Sequence, residues 1–112
     1  MLDETAFRRH ADTAIHTLTQ RLIAAEEDGG FETEEQNGVL NILFEDVPGK
    51  FVVTPNTPVR QIWISALSTS FKLDWSEEAA AFVLPKTGET LNQVIARVIN
   101  QHLGSGSAVT LD

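Results

Sequence analysis

Arg60-Gln61-Ile62-Trp63-Ile64-Ser65-Ala66 alternates with a period of two. Successive side chains of a strand point to opposite faces of the sheet. Ile62, Ile64 and Ala66 therefore share one face, and Gln61, Trp63 and Ser65 share the other. A strand with one aliphatic and one polar face fits an antiparallel sheet covered on one side only. Trp63 falls on the polar face. A large aromatic ring among small polar neighbours is a candidate contact anchor. The other reading is a ring covered by a loop or a second layer, since Trp is commonly buried.

The same period extends in both directions. Toward the C-terminus, Ser68-Thr69-Ser70 reads as a turn, and Phe71 to Trp75 as a strand with Lys72 and Asp74 opposite Phe71, Leu73 and Trp75. Ala80 to Leu84 is a last strand, and Pro85 to Gly88 a loop. Toward the N-terminus, Pro55-Asn56-Thr57-Pro58 is a rigid connection, Lys50 to Thr54 a strand, and Pro48-Gly49 a turn. Val39 to Glu45 places Leu40, Ile42 and Phe44 on one face. The hairpin signal Asn37-Gly38 joins it to a short acidic strand at residues 31–36.

Both ends of the chain carry the helical period instead. Phe7, Ala11, Ala14, Ile15, Leu18, Leu22 and Ala25 recur at three- and four-residue spacing, one apolar stripe of a long amphipathic helix. Asp3 is its cap, and Asp28-Gly29-Gly30 its end. Thr90 opens a second helix, with Gln93 completing a capping box. Leu91, Val94, Ile95, Val98 and His102 or Leu103 form its stripe. The order helix, about six short strands, helix predicts an α+β fold: a two-layer α/β sandwich with both helices packed on one face of an antiparallel sheet. Residues 1–103 form this single domain. Residues 104–112, beginning Gly104-Ser105-Gly106-Ser107, read as a flexible tail.

The chain has 112 residues and no cysteine, which excludes disulfides, thiolate metal sites and cysteine catalysis. No apolar run approaches transmembrane length. The opening Met1-Leu2-Asp3-Glu4 is neither a secretory nor a transit segment. The expected location is the bacterial cytoplasm, ahead of a mature mitochondrial form. A net charge of −8 argues against nucleic acid or an anionic membrane as partner. Residues 1–35 hold 9 of the 16 acids, six of them within ten residues that contain no Lys or Arg: Glu26, Glu27, Asp28, Glu32, Glu34 and Glu35.

Asn56-Thr57-Pro58-Val59-Arg60-Gln61-Ile62-Trp63-Ile64-Ser65 resembles the signature of the frataxins, whose core pattern is Thr-Pro-x-x-Gln-Ile-Trp-hydrophobic-Ser. Leu2-Asp3-Glu4-Thr5 with Phe7 resembles the opening of the frataxin first helix. Asn37-Gly38-Val39-Leu40 resembles the start of its second strand, and Gly88-Glu89-Thr90-Leu91 the entry to its last helix. The likeness spans residues 2 to about 103 and implies the sandwich already read from periodicity. Frataxins bind iron weakly through acidic side chains. They also dock on the cysteine desulfurase and scaffold protein complex that builds iron–sulfur clusters, altering its rate. The resemblance therefore implies an iron-binding regulator or iron chaperone of that assembly, with Fe²⁺ or Fe³⁺ loosely held and the chain a monomer, open to iron-dependent oligomerisation.

Two sets of residues follow. Hard cations prefer carboxylate oxygens, which makes Asp3, Glu4, Asp12, Glu26, Glu27, Asp28, Glu32, Glu34 and Glu35 the candidate metal ligands. Frataxins carry a nearly continuous acidic row along the first helix, whereas this chain has Arg8, Arg9, His16, Gln20 and Ile23 there. The helix end and the first strand are the stronger assignment. The other fate of such a run is a solvated acidic face. Asp12 and His16 share a helix face and read as an exposed ion pair rather than a metal site. The candidate partner surface is Asn41, Thr54, Gln61, Trp63 and Lys72, with Thr54 standing where the family has an Asn. No Ser/His/acid arrangement or phosphate loop suggests an enzyme, although weak ferroxidase or iron-storage behaviour follows from the resemblance. An acidic interaction module without a metal role is the alternative from a different class.

Overall fold

The computed structural model describes residues 2–44, 49–104 and 111, with the backbone alone for Glu27 to Gly29. Helix α1 runs Glu4–Gly29. The Asp3 carboxylate caps it by accepting from the Ala6 N–H at 2.7 Å. Gly30 ends it in the left-handed region at φ 70°, a conformation glycine adopts without steric cost. Six strands follow: β1 Phe31–Gln36, β2 Val39–Phe44, β3 Gly49–Asn56, β4 Gln61–Ala66, β5 Thr69–Ser76 and β6 Ala81–Val83. A single 3-10 turn, Thr57–Val59, links β3 to β4. Helix α2, Leu91–Leu103, closes the domain, with Thr90 and Gln93 forming the reciprocal capping box.

The sheet is an antiparallel meander in the order β1-β2-β3-β4-β5-β6. Its inner face presents Leu40, Ile42, Phe44, Phe51, Val53, Ile62, Ile64, Ala66, Leu73 and Phe82, all buried. Against it lie Phe7, Ala11, Ile15, Leu18 and Leu22 of α1, and Leu91, Val94, Ile95, Val98 and Ile99 of α2. Each large apolar side chain buried here stabilises the fold by roughly 1.5–3 kcal/mol. Both helices lie on this side, so among the described residues no helix covers the other face of the sheet.

The structure moves three boundaries. The turn expected at Ser68-Thr69-Ser70 is a two-residue hairpin at Leu67 and Ser68, with φ of 54° and 60°, and Thr69 and Ser70 pair within β5. Primed turns match the twist of the flanking strands, and here two non-glycine residues adopt one. Pro55 and Asn56, expected in a connection, extend β3 opposite Ile62 and Gln61. Proline is tolerated because the last β2–β3 pair is Leu40 with Val53, so β3 is an edge at Pro55. Of the stretch 104–112, residues 105–110 and 112 lie outside the described residues. Leu111 departs from a free tail: it is buried, and its carbonyl accepts from the Asn92 side chain at 2.9 Å. Glu45 and Pro48 also lie outside the described residues.

Two stability predictions arise from this packing. A Cβ on Gly49 would stand 2.6 Å from the His102 ring, which itself packs on Phe44 and Phe51. Gly49→Ala should cost about 1–3 kcal/mol in urea unfolding, and a neutral result would show that the ring yields freely. Arg97 holds Glu89 with two charge-assisted bonds, of 2.8 and 3.0 Å. That bonding lowers the Glu89 pKa from its ordinary 4.5. A depressed folded-state pKa stabilises the protein above the unfolded value and ceases to do so as pH falls through the folded one. Both side chains are partly exposed, so the gain is below about 1 kcal/mol. The stability gap between parent and Glu89→Gln should be present at neutral pH and close as the pH falls through and below the ordinary carboxylate range; a gap independent of pH would contradict this origin.

Candidate functional site

Strand register builds the uncovered face row by row. Thr54, Trp63 and Lys72 lie side by side on β3, β4 and β5. The neighbouring row is Asn56, Gln61, Asp74 and Val83, running from β3 to β6. A third row is Glu34, Asn41, Val52, Ser65 and Ser70, from β1 to β5. All five residues of the expected partner surface thus lie on one face. Thr54, Gln61, Trp63 and Lys72 are immediate neighbours, whereas Asn41 lies one row over on β2.

Trp63 is half-buried. Its indole N–H donates to Gln61 Oε1 at 2.8 Å, and Gln61 Nε2 donates to Asp74 Oδ1 at 2.9 Å. The Lys72 ammonium sits 4.8 Å from the centre of the Trp63 ring, a cation–π contact worth about 0.5–1 kcal/mol at an exposed position. The ring is held by polar neighbours on its own face rather than enclosed in the core. Asp74 and Asn56 are members of this face that the sequence reading left unassigned. Alternation alone marks Asp74, which shares the parity of Lys72. Asn56 was hidden by its assignment to a connection.

Trp75, the second tryptophan, points the other way. It stacks on His10 with ring centres 4.0 Å apart and packs edge-on against Phe82 at 5.2 Å. His10 thus serves in packing, as does His102 of the α2 stripe, which lies against Phe44 and Phe51.

The acids whose side chains are described do not assemble as one patch. Asp3 is occupied as the α1 cap, and Glu4 pairs with Arg8 at 3.5 Å on the exposed helix surface. At 1.5 Å per residue, Asp3 lies about 35 Å along the helix from Glu26. Asp12 and His16 are both exposed near the helix middle. Glu26 reaches across to β1 and accepts from the Thr33 N–H at 3.2 Å. It thereby covers part of the edge of the sheet, where β1 is the outermost strand. Glu32 and Glu34 point to the uncovered face, level with Leu43 and Asn41. Glu35 has the opposite parity, level with Leu40, so it cannot join them. The side chains of Glu27 and Asp28 lie outside the described residues. Among the described residues, no three carboxylate or imidazole groups come together in a way that would hold a metal ion, and no helix is long and apolar enough to cross a membrane.

The family model for the Frataxin-like domain matches residues 1–105. The chain is 29% identical over 104 residues to the iron-sulfur cluster assembly protein CyaY of Pseudomonas fluorescens, covering 93% of this chain and 92% of that protein. It is 28% identical over 92 residues to the protein of the same name from Azotobacter vinelandii, covering 80% and 83%. A solved frataxin from Psychromonas ingrahamii aligns with a TM-score of 0.74 over 99% of both chains. At 15% identity, that last likeness bears on the fold.

Proposed function

This chain belongs to the frataxin-like family, and from that premise we propose that it regulates iron–sulfur cluster assembly by docking its uncovered sheet face on a cysteine desulfurase–scaffold complex. The supporting observation is Trp63, set outward on a face that no helix covers and flanked by Thr54, Gln61 and Lys72. The relatives named for iron–sulfur cluster assembly supply the process; the face supplies a means of taking part in it. Burying a large ring at the centre of an interface removes apolar surface from water, and such rings commonly dominate binding energy.

Iron enters as cargo rather than as a resident cofactor. Glu32 and Glu34 present two carboxylates to the same side of β1, the oxygen donors that Fe²⁺ accepts. Two carboxylates without a third ligand hold an ion loosely and release it readily. Among the described candidate acids, Glu26, Asp3 and Glu4 are engaged elsewhere and Glu35 points away, so iron is taken up at the β1 end.

The test is recovery of the chain on its cognate cysteine desulfurase and scaffold, with and without Fe²⁺. Retention supports docking, and no retention under either condition overturns it. The scattered acids favour a second reading, an interaction module with no metal role. An NMR titration with Fe²⁺ separates the two: broadening confined to the amides around Glu32 and Glu34 supports loose iron uptake, and its absence leaves the module alone. If iron were oxidised at this end, Glu32→Gln/Glu34→Gln/Glu35→Gln would slow Fe²⁺ oxidation; equal rates remove the ferroxidase reading.

A further inference from the structure

Trp63 and Gln61 lie two residues apart on β4, and their side chains are tied to a third group on the neighbouring strand. An indole N–H can only donate, so the Gln61 amide must turn its oxygen toward Trp63. Its NH₂ group is then directed away, and Asp74 Oδ1 receives it at 2.9 Å. An ionised carboxylate can only accept. Both ends of the relay thus dictate the same amide orientation, and the bond to the carboxylate is the charge-assisted one. Strand pairing sets Asp74 directly opposite Gln61 and Lys72 directly opposite Trp63. Resting on the docking reading above, we propose that Asp74 is a positioning residue for the docking face: through Gln61 it fixes the tilt of Trp63 and satisfies the indole donor within the chain. The partner then meets the ring, not its N–H. It has no acceptor to provide for the indole, and what fits is an apolar contact on the part of the ring that Lys72 leaves open.

Asp74→Ala leaves the Gln61 amide without its acceptor and free to turn. Asp74→Asn retains an oxygen able to accept from Gln61, so it is the conservative control. The chain has two tryptophans, so an ¹⁵N-correlated NMR spectrum contains two indole signals, and the one from Trp75 is an internal reference on the opposite face. In Asp74→Ala the Trp63 indole signal should shift and exchange faster with water, the Trp75 signal should stay, and affinity for the desulfurase–scaffold complex should fall about fivefold. Asp74→Asn should restore both the signal and the affinity. An unmoved Trp63 signal in Asp74→Ala overturns the proposal. So does displacement of both indole signals with loss of stability, which would make Asp74 a general packing residue. If Trp63→Ala weakens binding and Asp74→Ala does not, the positioning role fails and the docking reading stands. If Trp63→Ala has no effect on binding, the docking reading itself fails.

Discussion

Phe82→Ala should destabilise the domain by about 3–5 kcal/mol. Phe82 is 1% exposed and lies on β6, a strand of only three residues at the edge of the sheet. Its neighbours Ala81 and Val83 are half-exposed, so this one ring anchors the strand to the core. It meets Phe7 of α1 edge-on at 5.8 Å and Trp75 of β5 at 5.2 Å. Truncation removes the transfer free energy of the ring and leaves a cavity that three different elements would have to close. The loss is a large share of the 5–15 kcal/mol that folded domains commonly have. Urea unfolding followed by far-UV circular dichroism measures it directly. A loss under about 1.5 kcal/mol would mean that β6 is held by its backbone pairing and not by this side chain.

The elements that carry Phe82 and its contacts were legible in the sequence because their signals are local. Period two in β2, β4 and β5, period 3.6 in both helices, the Asp3 cap and the Thr90–Gln93 box all arise within a few residues of one another. The parity of Gln61, Trp63 and Ser65 was legible for the same reason. The relay was not legible, because it depends on one turn. A three-residue turn at 68–70 would have set Trp63 opposite Trp75. The two-residue turn at Leu67-Ser68 sets it opposite Lys72 and brings Asp74 to Gln61. Nothing in Leu-Ser announces positive φ, whereas Asn37-Gly38 does. The acids illustrate a different failure. Their clustering in sequence suggested one site, but alternation along β1 splits Glu35 from Glu32 and Glu34, and contact between the helix end and the sheet edge occupies Glu26. The second of these effects is tertiary, and spacing carries no trace of it. Burial of Leu111, whose carbonyl accepts from the Asn92 side chain, is tertiary as well, and the composition of the tail carries no sign of it.

Trp63→Ala should lower affinity for the desulfurase–scaffold complex by about 30-fold or more, equivalent to about 2 kcal/mol, while the fold persists. The two halves of this expectation have separate causes. Trp63 lies outside the apolar core, and its ties are one side-chain hydrogen bond and one cation–π contact. Losing these should change stability by no more than about 1.5 kcal/mol. In the proposed complex the same ring would lose its remaining water, and the energy gained would scale with the apolar area it buries. Isothermal titration calorimetry gives the affinity, and thermal unfolding verifies that the variant is folded. Glu32→Gln/Glu34→Gln is the complementary variant: it should abolish the Fe²⁺-dependent broadening on β1 and leave the Trp63 indole signal in place, because two strands separate β1 from β4. A folded Trp63→Ala protein that binds with the parent's affinity would take the sheet face out of the docking mechanism and move the search for it to the acidic end of β1.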